Sequence, residues 1–269
     1  MALSLASCEK NNEKELSGDD VIQFEDPNFL KALLYVQEIR IHDAETNDYI
    51  PYMMDVDKNR DGQISVNEAK SVRGLLLSYW DENTEIQECF NIQSMPEIRY
   101  FTALECLDCS YNQLTSLDLS KNTALTELCC YENQLTSLDL SKNTALKSLD
   151  CGYNQLTSLD LSKNTALKSL LCGYNQLTSL DLSNNTALEE LWCENNQLTS
   201  LDLSNNTALE ELWCENNQLT FLDLSNNTAL TSLVCSGNPL TKIILNRNID
   251  KYTIQSIIEE YGDIIEYVD

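Results

Sequence analysis

Residues 188–208 read LEELWCENNQLTSLDLSNNTA and residues 209–229 read LEELWCENNQLTFLDLSNNTA, so two successive 21-residue stretches differ only at Ser200 and Phe221. The phrase recurs in both directions, with units beginning at Leu104, Leu125, Leu146, Leu167, Leu188, Leu209 and Leu230. All follow LxxLxCxxNQLTSLDLSxNTA, and the last unit drifts at Val234, Pro239, Lys242 and Ile244. Self-similarity at a short fixed period marks a solenoid, whose coils bury their apolar sides only by stacking on one another.

Within each unit the Leu at positions 1 and 4 and the Cys at position 6 alternate with polar residues. That alternation predicts a short strand with its apolar side turned into the coil. Adjacent coils then pair as parallel strands about 4.8 Å apart, and seven of them form an arc on the order of 30 Å long. The second half of each unit repeats the pattern and predicts a second strand, or an extended segment, on the opposite wall. Asn recurs at position 9 (Asn112 to Asn238) and at position 19 (Asn122 to Asn248). Stacked amides at coil corners satisfy backbone groups that no helix or sheet pairs, so both series are expected to be structural.

These units resemble leucine-rich repeats, specifically the short 21-residue bacterial class with a cysteine at the sixth position, the cysteine-ladder pattern of internalin J-like surface proteins. The resemblance covers Leu104 to about Asn248. It implies an α+β chain: a parallel-stranded leucine-rich repeat solenoid of about seven coils, with a helical N-terminal cap and a C-terminal capping helix. It also implies adhesion or recognition at a cell surface.

The chain divides accordingly into a lipoprotein signal remnant and tether (1–18), an N-terminal cap with a divergent first repeat (19–103), the array (104–250) and a C-terminal cap (251–269). Leu5-Ala6-Ser7-Cys8 matches a bacterial lipobox, in which Cys8 would be lipidated. The basic and long apolar parts of a full signal are missing. The expected location is a bacterial cell surface or outer membrane, with the membrane met through a lipid anchor alone.

Seven of the 11 cysteines fall at position 6 in successive coils, where parallel Cβ vectors about 4.8 Å apart do not suit a disulfide. They read as small buried hydrophobes. Cys106 and Cys129 fall at outward positions and Cys89 precedes the array, leaving a bridge among these three open.

Residues 57–68 read DKNRDGQISVNE. Asp57, Asn59, Asp61 and Glu68 stand at loop positions 1, 3, 5 and 12, Gly62 at the sharp turn, and Ile64 where a core residue belongs. Gln63 would offer its carbonyl and Ser65 a water. The loop resembles that of EF-hands and dockerins, which implies calcium. Only one such loop is visible, so calcium is expected to clamp the cap over the open end of the solenoid. Helical patterns follow Asp26-Pro27-Asn28 and run from Tyr252 to Tyr261, the latter expected to close at Gly262.

The charge of −26 excludes nucleic acid and anionic headgroups as direct partners. A single His, His42, excludes histidine-rich metal centres and leaves few catalytic triads to build. No apolar run approaches the roughly 20 residues needed to cross a bilayer.

On the first strand, positions 3 and 5 face outward. Position 5 reads Asp108, Cys129, Asp150, Leu171, Trp192, Trp213, Val234, and position 8 includes Tyr111, Tyr153 and Tyr174. An apolar run on the solvent side marks an interaction site. Glu190, Glu194, Glu211 and Glu215 flank the tryptophans, and no Lys or Arg occurs between Lys168 and Lys242. An aromatic platform rimmed by carboxylates suits a glycan, mucin-type included, or a basic polypeptide segment of a host or neighbouring-cell protein. A second stripe, Asp118 to Asp223 at position 15, should have mutually raised pKa values. The expectation is a non-enzymatic binding protein without catalytic residues. A surface assembly component and a carboxylate-based glycosidase are the alternatives.

Overall fold

The computed structural model describes residues 16–35, 39–43, 48–52, 56–81, 86–249 and 255–269. Cys8, with most of the tether, Val36 and Tyr252 lie outside these residues. Each coil contributes one three-residue strand: β6 (Cys106–Asp108), β7 (Glu127–Cys129), β8 (Ser148–Asp150), β9 (Ser169–Leu171), β10 (Glu190–Trp192), β11 (Glu211–Trp213) and, from the last coil, β13 (Ser232–Val234). They pair parallel and in register, Leu107 opposite Leu128 and Trp192 opposite Trp213. An eighth strand, β3 (Gly74–Leu76), precedes β6 in the same sheet, with Leu75 opposite Leu107. The central residue of each array strand is buried and its neighbours are half-buried, as alternation requires.

Strands stay short because the chain turns at position 8, where Tyr111, Glu132, Tyr153, Tyr174, Asn195 and Asn216 all have φ between 51° and 54°, and Gly237 has φ 70°. The N–H of this left-handed residue donates to the position-7 carbonyl of the next coil, as from Tyr153 to Gly173 at 3.0 Å. Position 9 then locks the corner: Asn154 accepts the N–H of Leu135 and donates to the carbonyls of Cys130 and Cys151. The position-19 amides are fully buried from Asn122 to Asn227, each donating to two carbonyls of the preceding coil. Asn248 breaks that series. It is exposed, and Asn246 turns inward to donate to Ser225 O, because the drifted last coil tightens its turn by two residues.

The second half of most units is extended without pairing. It becomes a strand in the last two units, as β12 (Phe221–Leu224) and β14 (Lys242–Asn246), which pair with each other, and β14 also pairs with β15 (Ile265–Val268). In the other units the buried leucines and the amide bonds from Asn143 and Asn164 to the preceding coil hold this wall. All seven ladder cysteines are fully buried and free. Burial pushes their thiols up, which makes them inert. Cys106 and Cys129 are also free thiols, so no bridge joins them to each other or to Cys89.

At the N-terminal end, helix α1 (Pro27–Tyr35) buries Phe29, Ala32 and Leu33 in the same core as the first coils. Asp26 ties it down: one carboxylate oxygen accepts from Asn28 N at 2.8 Å, the other from Gln93 N at 2.6 Å. The cap also holds two antiparallel hairpins absent from the sequence reading, β1–β2 (Ile39–Asp43, Asp48–Tyr52) and β4–β5 (Ser78–Asp81, Ile86–Cys89). At the other end, α3 (Gln255–Tyr261) buries Ile257 against the last coil. Gly262 does not end α3 in a left-handed cap; it opens a 3-10 turn, Gly262–Ile264, that feeds β15.

Candidate binding face

On the solvent side of the eight-stranded sheet, position 5 forms one continuous column. Trp192 and Trp213 stand in it as a stacked pair, ring centroids 4.2 Å apart and planes within 1°. Leu171 is the strand neighbour of Trp192, and Val234 that of Trp213. The indole faces are therefore flanked by each other and by these two aliphatic neighbours, and the Nε1 edge of Trp192 is buried as well. Side chains packed at strand spacing shade one another, which leaves the whole column half-buried rather than fully exposed.

Beside it runs a ladder of four tyrosines. Tyr111, Tyr131, Tyr153 and Tyr174 follow at centroid separations of 5.2, 5.0 and 3.9 Å, the last pair stacked. Three of these hold the left-handed position 8, where a bulky residue costs about 1–2 kcal/mol and Asn or Gly fits freely. The rings, not the turn, give tyrosine its use there. Tyr131, at position 7, escaped the sequence reading because it stands one residue out of line with the others.

Glu194 and Glu215 lie at position 7, across the tryptophans from Glu190 and Glu211 at position 3. The Glu194 carboxylate rests on Gly173, where any side chain would collide with it. Burial raises the pKa of Glu194, with the charges of Glu215 and Asp150 adding to it.

Toward the N-terminal end the face sinks into a hollow of about 400 Å³ between Leu76 and Leu171. Asp108, Glu127, Asp150 and Glu190 line it together with the thiols of Cys106 and Cys129. Burial pushes Asp150 up to about 6, although it accepts Gly152 N at 3.0 Å, and Asp108 is raised for the same reason. The hollow exists because Ser148 and Ser169 are small where Glu127 and Glu190 stand on either side. Of its residues the sequence names Asp108, Asp150, Leu171 and Glu190 on the binding face and Cys106 and Cys129 as outward cysteines, but not the position-3 serines, although the position-3 column was there to be read.

The sequence profile described as Leucine Rich repeats (2 copies) matches residues 123–164 and 165–206. The coils it matches, over residues 123–206, are leucine-rich repeats, and the remaining coils continue the same period and register. No curated protein matches the chain. Among solved structures, the functional domain of InlJ from Listeria monocytogenes, which includes a cysteine ladder, is 29% identical, with a TM-score of 0.57 over 90% of this chain and 56% of that one. The chain thus spans little more than half of that domain. Internalin C2 from Listeria monocytogenes is 22% identical, with a TM-score of 0.58 over 91% of this chain and 94% of that one. The ectodomain of the Arabidopsis thaliana receptor kinase GASSHO1/SCHENGEN3, in complex with CASPARIAN STRIP INTEGRITY FACTOR 2, is 22% identical, with a TM-score of 0.53 over 68% of this chain and 25% of that one.

Away from this face, the loop at 57–68 is compact, with Arg60 (φ 59°) and Gly62 (φ 78°) left-handed and Ile64 fully buried. Asp57 accepts Gly62 N at 2.8 Å, and Asn59 accepts Asp61 N at 2.9 Å. Glu68 accepts from Lys58 N and Asn59 N with one oxygen, and from Ser65 N and Oγ with the other. Burial raises its pKa, but these bonds outweigh burial and hold it below the ordinary value. Ser65 thereby caps the short helix α2 (Val66–Ala69). Gln63 adds its N–H to Asp61. The donor set is of the hard-oxygen kind calcium takes, but among the described residues no three His, Cys, Asp or Glu side chains converge on one point.

On the opposite wall the repeated carboxylates behave contrary to expectation. Asp118, Asp139, Asp160, Asp181 and Asp202 all have lowered pKa values, since each accepts hydrogen bonds from the serine two residues on, as Asp160 does from Ser162 N at 2.9 Å. These side chains stand in water, which screens their mutual repulsion to less than the local bonds contribute.

Proposed function

We propose that this protein is a non-enzymatic recognition module of a bacterial cell surface, an adhesin in kind, that engages a protein partner through the solvent side of its leucine-rich sheet. The stacked pair Trp192–Trp213, set between Leu171 and Val234 in a half-buried apolar run of four strands, carries the reading. Leucine-rich repeats are protein-recognition scaffolds, and the plant ectodomain of the same fold is in complex with a protein factor. Apolar side chains on four successive strands, Leu171, Trp192, Trp213 and Val234, suit the apolar side chains of a polypeptide, so protein is favoured over glycan.

Anchoring through a lipid on Cys8 would hold the face outward, and calcium held by Asp57, Asn59, Asp61, Glu68 and the Gln63 carbonyl would clamp the N-terminal cap. The crowded carboxylates of the loop would lose their mutual repulsion to the cation they share, and their common hold on it would fix the ends of the loop.

An array of purified extracellular proteins and of neutral and mucin-type glycans, probed with the natural chain and with Trp192→Ala/Trp213→Ala, tests the proposal. It expects binding to a protein that the double variant loses. Binding to glycans alone, turnover of a bound sugar, or binding indifferent to the double variant would overturn it. Light scattering separates the assembly alternative: a mass that falls to one chain only in the double variant would favour packing on another copy.

A further inference from the structure

The binding face has two unlike halves, and their arrangement specifies a partner more closely than the fold does. At β10 and β11 it is apolar. Two strands earlier it opens into the hollow, whose thirteen lining residues include four carboxylates and no basic side chain. Asp150 accepts Gly152 N, and Glu190 accepts Ser169 Oγ at 2.6 Å. These bonds fix the carboxylates in place but bring no positive charge. The raised pKa of Asp150, owed first to burial and then to Asp108 and Glu190, reports the same lack.

Charge decides among occupants. A second copy of this chain carries −26 and would bring carboxylates against carboxylates. Sialylated or sulfated glycans and nucleic acids meet the same repulsion. A neutral sugar can donate its hydroxyls to these carboxylates but leaves their charge uncompensated. A cationic side chain in the hollow neutralises groups already withdrawn from water, where its attraction is screened least.

We infer that the partner presents an extended polypeptide segment with a Lys or Arg side chain that enters the hollow between Leu76 and Leu171 while apolar side chains of the same segment lie along Trp192 and Trp213. The inference rests on the reading of this face as a protein-binding surface. Spacing follows from the sheet. Asp150 on β8 is two strands from Trp192 and three from Trp213, about 10 and 14 Å at roughly 4.8 Å per strand. A segment crossing the strands at about 3.3 Å per residue places its cation three to four residues from its apolar anchor.

Selection of phage-displayed random dodecapeptides on the full chain tests this, with enriched peptides then measured against two variants. Asp150→Asn/Glu190→Gln keeps the shape and the hydrogen bonds of the hollow and removes two of its four carboxylates; Trp192→Ala/Trp213→Ala removes the apolar anchor. Circular dichroism confirms that both are folded. The inference expects enriched peptides with Lys or Arg three to four residues from Leu, Val or an aromatic residue, binding at least 10-fold more weakly to each variant. Peptides that weaken on the tryptophan variant alone would overturn the cationic partner and leave the binding face standing. Enrichment without basic residues, or none above carrier phage, would overturn the inference, and peptides indifferent to both variants would overturn it together with the face.

Discussion

The indole N–H of Trp213 donates to Ser232 Oγ at 3.3 Å, across to the next coil. Trp192 occupies the same position one coil earlier, yet its N–H is buried without a partner. The difference lies at position 3 of the following coil, which is Ser232 for Trp213 and Glu211 for Trp192. Glu211→Ser should supply the missing acceptor and raise stability by about 1 kcal/mol. Thermal unfolding measures this, with Glu211→Ala as the control that removes the charge without adding an acceptor. Equal melting temperatures for the two variants would show that the unpaired N–H costs nothing.

The corner amides tie each coil to the one before it. Asn164 is fully buried and donates to Leu140 O at 3.2 Å and Asn143 O at 2.9 Å. Asn164→Ala strands both acceptors and should cost on the order of 2–5 kcal/mol by urea unfolding. Asn205→Ala, at an exposed neighbouring position, should stay within about 0.5 kcal/mol of the natural chain.

Repetition explains what was legible. Leu107, Leu128 and Leu149 mark the core column by recurring every 21 residues, and the buried cysteines and asparagines follow with them. The hairpins at Ile39–Tyr52 and Ser78–Cys89 occur once, so no period announces them. The hollow is set by where side chains are small, at Ser148 and Ser169, and absence of bulk leaves no motif. The lowered aspartates were legible in principle: Asp-Leu-Ser places a serine N–H two residues after each carboxylate, a local turn that outweighs a charge in the next coil. That Trp192 and Trp213 are neighbours followed from the period, but their parallel stacking and half-burial are packing outcomes that no period announces.

Two sets of carboxylates give stability opposite pH dependences. A carboxyl raised by folding, as Asp150 is to about 6, contributes stability that is full below its ordinary value near 4 and lost as pH rises through 6. Asp160 and its repeats are lowered by folding, so their contribution is present above about 4 and lost as pH falls further. Melting temperature should therefore rise from pH 7.5 to about 5 and fall again below about 3.5. Asp150→Asn should be more stable than the natural chain at pH 7.5 and match it at pH 4, and an unchanged difference at both would sink the assignment.

Calcium binding at residues 57–68 predicts a melting temperature higher in millimolar calcium than in chelator. A hundredfold excess over the dissociation constant stabilises by about 2.7 kcal/mol. Asp57→Asn and Glu68→Gln should each abolish the shift, whereas Asp160→Asn on the opposite wall should keep it. A chain whose melting is indifferent to calcium would remove the ion from the cap.

The central claim is that recognition occurs on the solvent side of the sheet and not on the far wall, where Phe221 stands 45% exposed beside Asp202 and Asp223. The direct measurement is the dissociation constant of an array-identified protein partner for Trp192→Ala/Trp213→Ala and for Phe221→Ala/Asp202→Asn. Binding weakened at least 10-fold by the first pair and unchanged by the second is the predicted result. Binding that survives the loss of both tryptophans and fails with Phe221 would contradict the account.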